Sequence, residues 1–181
     1  MAVETSPGGE QSDARQFQIF RGASAPPMQL DELTGLTDVS KEGLAKLQEA
    51  GGWGAGADVR VLLDIPGFSL TYAWFKSGYP LARHSHKADC AYYIVGGSLK
   101  LGSEVLGKGD GFFVPGDAPY TYQVGPDGVE VLEIRHHGCH DMKILANNAA
   151  FWAKAVEATP SNFLRWAREP RPSPTMEEAS S

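Results

Sequence analysis

The sequence predicts an all-β domain, a small barrel of short strands with an N-terminal extension and C-terminal helices. Three observations predict it. Residues 58–137 are rich in β-branched and aromatic residues, the types that fit a pleated, half-buried surface. Glycines at 67, 78, 96, 97, 102, 107, 109, 111, 116, 125 and 128 punctuate that zone, the spacing of short strands joined by turns. Helical patterning is confined to the flanks, as in a barrel with helices packed outside it.

Residues 1–15 are polar and Gly/Ser-rich and read as a disordered tail. Residues 16–57 make the N-terminal extension. Gln16–Arg21 fits a strand. Lys41–Ala50 fits a short helix, with Ser40 as cap, Leu44 and Leu47 on one face, and Gly51 and Gly52 as its stop. Residues 58–145 make the barrel, in which Val59–Leu63 and Leu70–Phe75 are the clearest strands. Residues 146–169 are helical. Asn148 caps a segment with Trp152 and Val156 on one face, and Thr159-Pro160 opens a second carrying Phe163 and Ala167. Residues 170–181, with three prolines, read as a second loose tail.

The 181 residues are 42% hydrophobic and 21% charged, with a formal net charge of -6. That is an ordinary globular composition for one domain. An acidic surface repels phosphate backbones and anionic lipid, so nucleic acid and membrane are poor partners. No apolar run approaches the roughly 20 residues of a membrane span. The N-terminus has no secretory pattern, and Cys90 and Cys139 form no CxxC pair, so two reduced thiols in a cytoplasmic protein are expected. Gly52-Trp53-Gly54-Ala55-Gly56-Ala57 follows a helix and lacks a βαβ unit, so it is no dinucleotide loop. A Gly-x-Ser-x-Gly elbow is also absent.

The chemistry lies in Gly78–Gly97. In a strand, residues two apart point the same way, so His84 and His86 present two imidazoles on one face. Two imidazoles on a rigid strand are part of a common transition-metal site. Around them, glycine (Gly78), five residues, His84, one residue, His86, three residues, Cys90, six residues and Gly97 follow in order. A second run places Gly109, Pro115, Asp117, Tyr120 and Val124 at fixed offsets. These two stretches resemble the two conserved motifs of the cupins, over about residues 70–137. The resemblance implies a cupin double-stranded β-helix, a jelly-roll-like barrel. It also implies a divalent transition metal (iron, manganese, nickel or zinc), which common cupins hold through three His and one Glu. Here His84 and His86 stand at two of those positions. Cys90 takes the Glu position and Tyr120 the third His position. Cysteine dioxygenases, also cupins, carry a cysteine at that Glu position, where it can be thioether-linked to a tyrosine; Tyr120 and Tyr122 would be the candidates here.

A last strand, Val129–His136, alternates. One face carries Leu132, Ile134 and His136, the other Val131, Glu133 and Arg135, and periodicity alone does not choose between them. Inward, His136 would be a replacement ligand; otherwise Glu133 would be a metal ligand or an acid or base, and Arg135 a carboxylate binder. His137 and His140 read as solvated strand-end residues. The site expected from the sequence is therefore His84, His86 and Tyr120 on a metal, Tyr120 and Glu133 as catalytic groups, and Cys90, Phe113, Tyr122 and His136 lining the pocket. The leading expectation is a metal-dependent enzyme acting on a small organic molecule, apolar or aromatic, by oxygenase, lyase or isomerase chemistry. The alternative is a non-catalytic module that binds or senses such a molecule. A homodimer is expected from the resemblance, since cupins commonly pair.

Overall fold

The computed structural model describes residues 17–28, 33–138 and 142–173. In chain order the elements are α1 (Asp38–Glu49), α2 (Gly52–Gly56), β1 (Ala57–Ile65), β2 (Phe68–Phe75), β3 (His84–Ser85), β4 (Cys90–Leu101), β5 (Glu104–Gly107), β6 (Gly111–Val114), β7 (Gln123–Arg135), β8 (Lys143–Ile144) and α3 (Ala149–Trp166). Among the described residues no helix is long and apolar enough to cross a membrane.

The fold is mostly antiparallel sheet with helices at its flanks. Six strands form one sheet in the order β1-β2-β7-β4-β5, with β6 also on β4; β3 and β8 form a separate pair. A bridge between His84 and Tyr120 ties β3 to the loop that follows β6. Among the described residues the ladders thus do not join into one closed ring. The strong predictions, Val59–Leu63 and Leu70–Phe75, lie inside β1 and β2.

Register decides what each face carries. Inward rows run Ser69–Arg135–Cys90–Val114 and Thr71–Glu133–Tyr92–Phe112 across β2, β7, β4 and β6. Outward rows run Leu70–Ile134–Ala91–Phe113 and Tyr72–Leu132–Tyr93–Gly111. Deeper in the fold the inward face turns apolar, with Ala73, Phe75, Ile94, Val129 and Val131 buried together in one core cluster. Gly97 sits at φ 70 in the bulge of β4, where a Cβ would collide with the Gly128 carbonyl, so only glycine fits.

A second apolar cluster joins Leu33, Leu47, Ile144, Ala146, Trp152 and Ala155 and packs α1 and α3 over one end of the sheet. Helix α1 starts three residues earlier than expected. Thr37 is its cap, and Ser40 closes a reciprocal capping box with it. Gly43 has no side chain because the Trp152 ring of α3 lies where its Cβ would be. Helix α3 is one helix where two were expected. Pro160 removes a backbone donor, but buried Trp152 and Trp166 anchor the two halves to the same body, each such burial contributing roughly 1.5–3 kcal/mol. Residues 17–21 lie outside any strand, contrary to the expectation for Gln16–Arg21.

Nor is the whole stretch 170–181 loose. Arg171 lies over the Tyr72 and Trp74 rings, with 5.1 Å from its guanidinium carbon to each ring centroid. It also donates to Asp58 at 2.9 Å, and the Ser173 amide donates to the buried Glu130 carboxylate at 2.6 Å. Residues 171–173 thus form a strap across the outer face. The expected tail 1–15, Gln16, Cys139, His140 and residues 174–181 lie outside the described residues.

Candidate functional site

The inward polar rows meet β3 to make one buried cluster. His84, His86, Cys90, Tyr92, Tyr120, Tyr122, Glu133 and Arg135 are all buried. The His-x-His spacing places both imidazoles inward, with ring centroids 5.4 Å apart. Tyr120 is bonded backbone to backbone with His84, which delivers its ring to that of His84, centroid to centroid at 4.3 Å.

The hydrogen bonds have a readable direction. His84 Nδ1 lies 2.8 Å from the Ala82 carbonyl. A carbonyl only accepts, so Nδ1 carries the proton and Nε2 is the acceptor. The Tyr120 hydroxyl, 2.7 Å from Nε2, therefore donates to it. Its own oxygen is left to accept from Tyr92, the next hydroxyl in line. The chain runs Tyr92 to Tyr120 to His84 to the Ala82 carbonyl. Electrostatics hold it in this state. Burial, with the Glu133 carboxylate nearby, keeps the Tyr92 and Tyr120 hydroxyls well above the ordinary phenol value. Burial, with His86 and Arg135 also disfavouring charge, pushes His84 down to about 3. Neutral imidazole and protonated phenols are the forms the chain needs.

Beside this chain Arg135, with no exposed side-chain surface, is ion-paired with Glu133. Its guanidinium also reaches Thr71 Oγ1 and His86 Nε2, at 3.4 Å each. Arginine only donates, so His86 Nε2 accepts. Tyr122 packs its ring against Phe75 and Phe112. Ser69 Oγ, in the same row as Arg135, is buried without a hydrogen-bond partner among the described residues. Glu133 also borders a cavity of about 40 Å³, otherwise lined mostly by apolar side chains including Leu44, Leu47, Phe75, Leu81 and Trp152.

Two expected pocket residues are not there. Phe113 is 62% exposed; the register of β6 on β4 turns Phe112 inward, stacked on Tyr92 with centroids 4.5 Å apart. His136 is exposed and follows the last residue of β7, whose inward set is Val131, Glu133 and Arg135. The open choice between the two faces of that strand is thereby made. The sequence reading missed Tyr92, although the period of two from Cys90 points to it.

A divalent metal does not fit these donors as they stand. Among the described residues no three of His, Cys, Asp and Glu converge on a point. The inward nitrogen of each imidazole already accepts a proton-bearing group, Tyr120 on His84 and Arg135 on His86. A fixed guanidinium beside His86 repels a second cation in a low-dielectric interior, and the nearby carboxylate, Glu133, is already paired with it.

No family model matches the chain, and no curated protein does. Solved structures do. One is the polyketide cyclase RemF from Streptomyces resistomycificus, at 18% identity over 60% of this chain and 84% of that one, TM-score 0.47. Another is a protein of unknown function with a cupin-like fold from Ralstonia eutropha, at 17% identity over 82% and 89%, TM-score 0.48. A third is an RmlC-like cupin from Shewanella frigidimarina, at 19% identity over 70% and 94%, TM-score 0.45. The chain is thus similar to solved proteins described as cupins, the superfamily its own two motifs resemble.

Proposed function

We propose that this chain is a cupin whose barrel interior binds a small organic molecule, apolar or aromatic over most of its surface, and acts on it by proton transfer without a metal. The observation that carries this reading is the directed chain Tyr92–Tyr120–His84 standing beside the Glu133–Arg135 pair, with Glu133 open to an apolar cavity. Glu133 is the group placed to take a proton from a molecule in that cavity, and Arg135 holds its carboxylate in position. This suits isomerase or lyase chemistry that begins with removal of a proton from carbon. The lining sets the substrate class: apolar walls with one carboxylate.

The cavity of about 40 Å³ is far smaller than the roughly 300–1,000 Å³ of ordinary ligand sites. Uptake therefore requires Leu44 and Leu47 of α1 and Trp152 of α3 to move outward. That coupling favours a second reading, a non-catalytic sensor in which the ligand displaces the helical cap.

The test has two arms. Titration with the apolar fluorophore anilinonaphthalene sulfonate should show saturable binding that Leu44→Trp abolishes by filling the cavity. Turnover of small aromatic ketones and acids that Glu133→Gln removes supports the enzyme; binding that survives with no turnover supports the sensor. The metal-free part is checked by thermal shift. Bound ligand raises the melting temperature by a term that grows as the logarithm of its concentration over Kd. Iron, manganese, nickel, cobalt, copper and zinc should each leave it unchanged. A rise that disappears in the His84→Ala, His86→Ala double variant restores the metal-dependent reading.

A further inference from the structure

The outer face of the sheet carries a cage that the chain fills with its own side chain. Cross-strand pairing sets Asp58 of β1, Trp74 of β2, Glu130 of β7 and Gly96 of β4 in one row. Tyr72, two residues before Trp74, lies on the same face in the next row. The row thus puts an indole between two carboxylates, with a phenol beside it. Neighbours fix both carboxylates: Asp58 accepts from Arg60 at 2.8 Å, and the buried Glu130 accepts from the Tyr72 hydroxyl.

Arg171 of the strap occupies this cage. One terminal nitrogen donates to the Tyr72 hydroxyl at 2.7 Å and the other to Asp58 at 2.9 Å, while Glu130 lies 4.0 Å away. The guanidinium carbon stands 5.1 Å from the centroid of each ring. A planar guanidinium stacks on aromatic faces and donates from both arms of its fork at once, which a compact ammonium does not do. Lys76 comes within 4.8 Å of the Trp74 centroid, but its ammonium is held by the Trp166 carbonyl at 2.6 Å. The geometry therefore selects arginine.

Three features show that the cage is built for a peptide and that its present occupant is replaceable. Gly96 leaves a bed for a backbone: a Cβ there would lie 2.7 Å from the Ser173 amide nitrogen and 3.0 Å from the Pro172 carbonyl carbon. Trp74 Nε1 is buried without a hydrogen-bond partner among the described residues, a donor that the strap does not use. The strap also borders an open groove of about 920 Å³ whose walls include Pro126, Asp127, Leu164 and Arg168, ample room for residues flanking an arginine. Arg171 itself keeps 39% of its side chain exposed.

We propose that Asp58, Tyr72, Trp74 and Glu130 form a recognition site for an arginine-bearing extended peptide of a partner protein, with Arg171 as a built-in competitor. A tethered competitor sits at high effective concentration, so the site opens fully only when the strap is displaced. This assignment is independent of the chemistry inside the fold.

Calorimetric titration of the full-length chain tests it, with the capped peptide Pro-Arg-Pro-Ser, the sequence of the strap itself, as probe. The Arg171→Ala variant should bind the peptide at least tenfold more tightly than wild type, whose cage is filled. Arg171→Lys, which keeps the charge and loses the fork, should also bind it more tightly than wild type. In the Arg171→Ala variant, a peptide with lysine for arginine and N-acetylarginine amide, which lacks flanking residues, should each bind at least tenfold more weakly. Adding Asp58→Asn should weaken the parent peptide severalfold while the circular dichroism melt stays cooperative. Binding to Arg171→Ala no tighter than to wild type overturns the proposal. So does equal affinity for the lysine peptide, for N-acetylarginine amide, or for the variant carrying Asp58→Asn.

Discussion

On β7, Glu133 and Arg135 point into the protein, while their neighbours Leu132 and Ile134 point out. Two and four residues before Glu133 the same inward face is ordinary, and Val129 and Val131 are core. The inner face therefore changes from apolar to charged along its length, and at its charged end the outer face carries Leu132 and Ile134. Burying a charge costs several kcal/mol unless it is paired, and leaving a row of large apolar side chains in water forfeits their transfer energy. Both costs fall at the same end of the same sheet.

Four experiments would break or sharpen this contrast, and the inner face should give the largest effects. Arg135→Met leaves Glu133 buried without its cation and should cost about 3–5 kcal/mol in urea unfolding. Adding Glu133→Gln should recover much of the loss. If the single change costs under about 1 kcal/mol, water reaches the pair and the inner face is not the dry site described.

A smaller effect should appear with pH. His84 titrates near 3 in the folded protein and near 6.5 when unfolded. Between those values the unfolded chain binds the extra proton, so stability rises with pH there and is lost as pH falls from about 6.5 towards about 3. The slope from one such group is at most about 1.4 kcal/mol per pH unit. His84→Gln should flatten that part of the unfolding profile, and an unchanged profile would mean the imidazole is already wet.

Tyr120→Phe removes a hydroxyl that both accepts and donates. It strands Tyr92 and His84, and should cost about 1–3 kcal/mol together with any turnover. Substitution at Phe113 alone, on the outer face, should move monomer stability by no more than about 0.5 kcal/mol.

How much of this could be read from the sequence follows the range of the interaction involved. The His84–His86 spacing and the Gly–Pro offsets around Tyr120 are local signals, and they suffice to bring these residues to one another. The inward choice of Glu133 and Arg135 over His136 was open, because alternation gives two faces and no label for either. Phe112 and Phe113 were exchanged for a related reason. The turn Gly107–Gly111 hides the parity of β6, and it is the pairing of Tyr92 with Phe112 that sets it. The role of Arg135 against His86 depends on residues 49 apart in sequence, which no window of neighbouring residues reports. Pro160 misled in the other direction: its local rule predicts a break, and the two buried tryptophans of α3 override it.

The strap has a consequence for how the chain is made. Every strand of the main sheet is complete once Arg135 has been synthesised, yet the Glu130 carboxylate gains the Ser173 amide only when Ser173 arrives. The 38 residues from His136 to Ser173 take about 2–8 s to add at roughly 5–20 residues per second. Throughout that interval the nascent chain shows Trp74, Glu130 and the bare apolar rows on one continuous face. A ribosome-bound fragment ending before Arg171 would be the form most exposed to chaperones and to premature pairing with a neighbouring nascent chain.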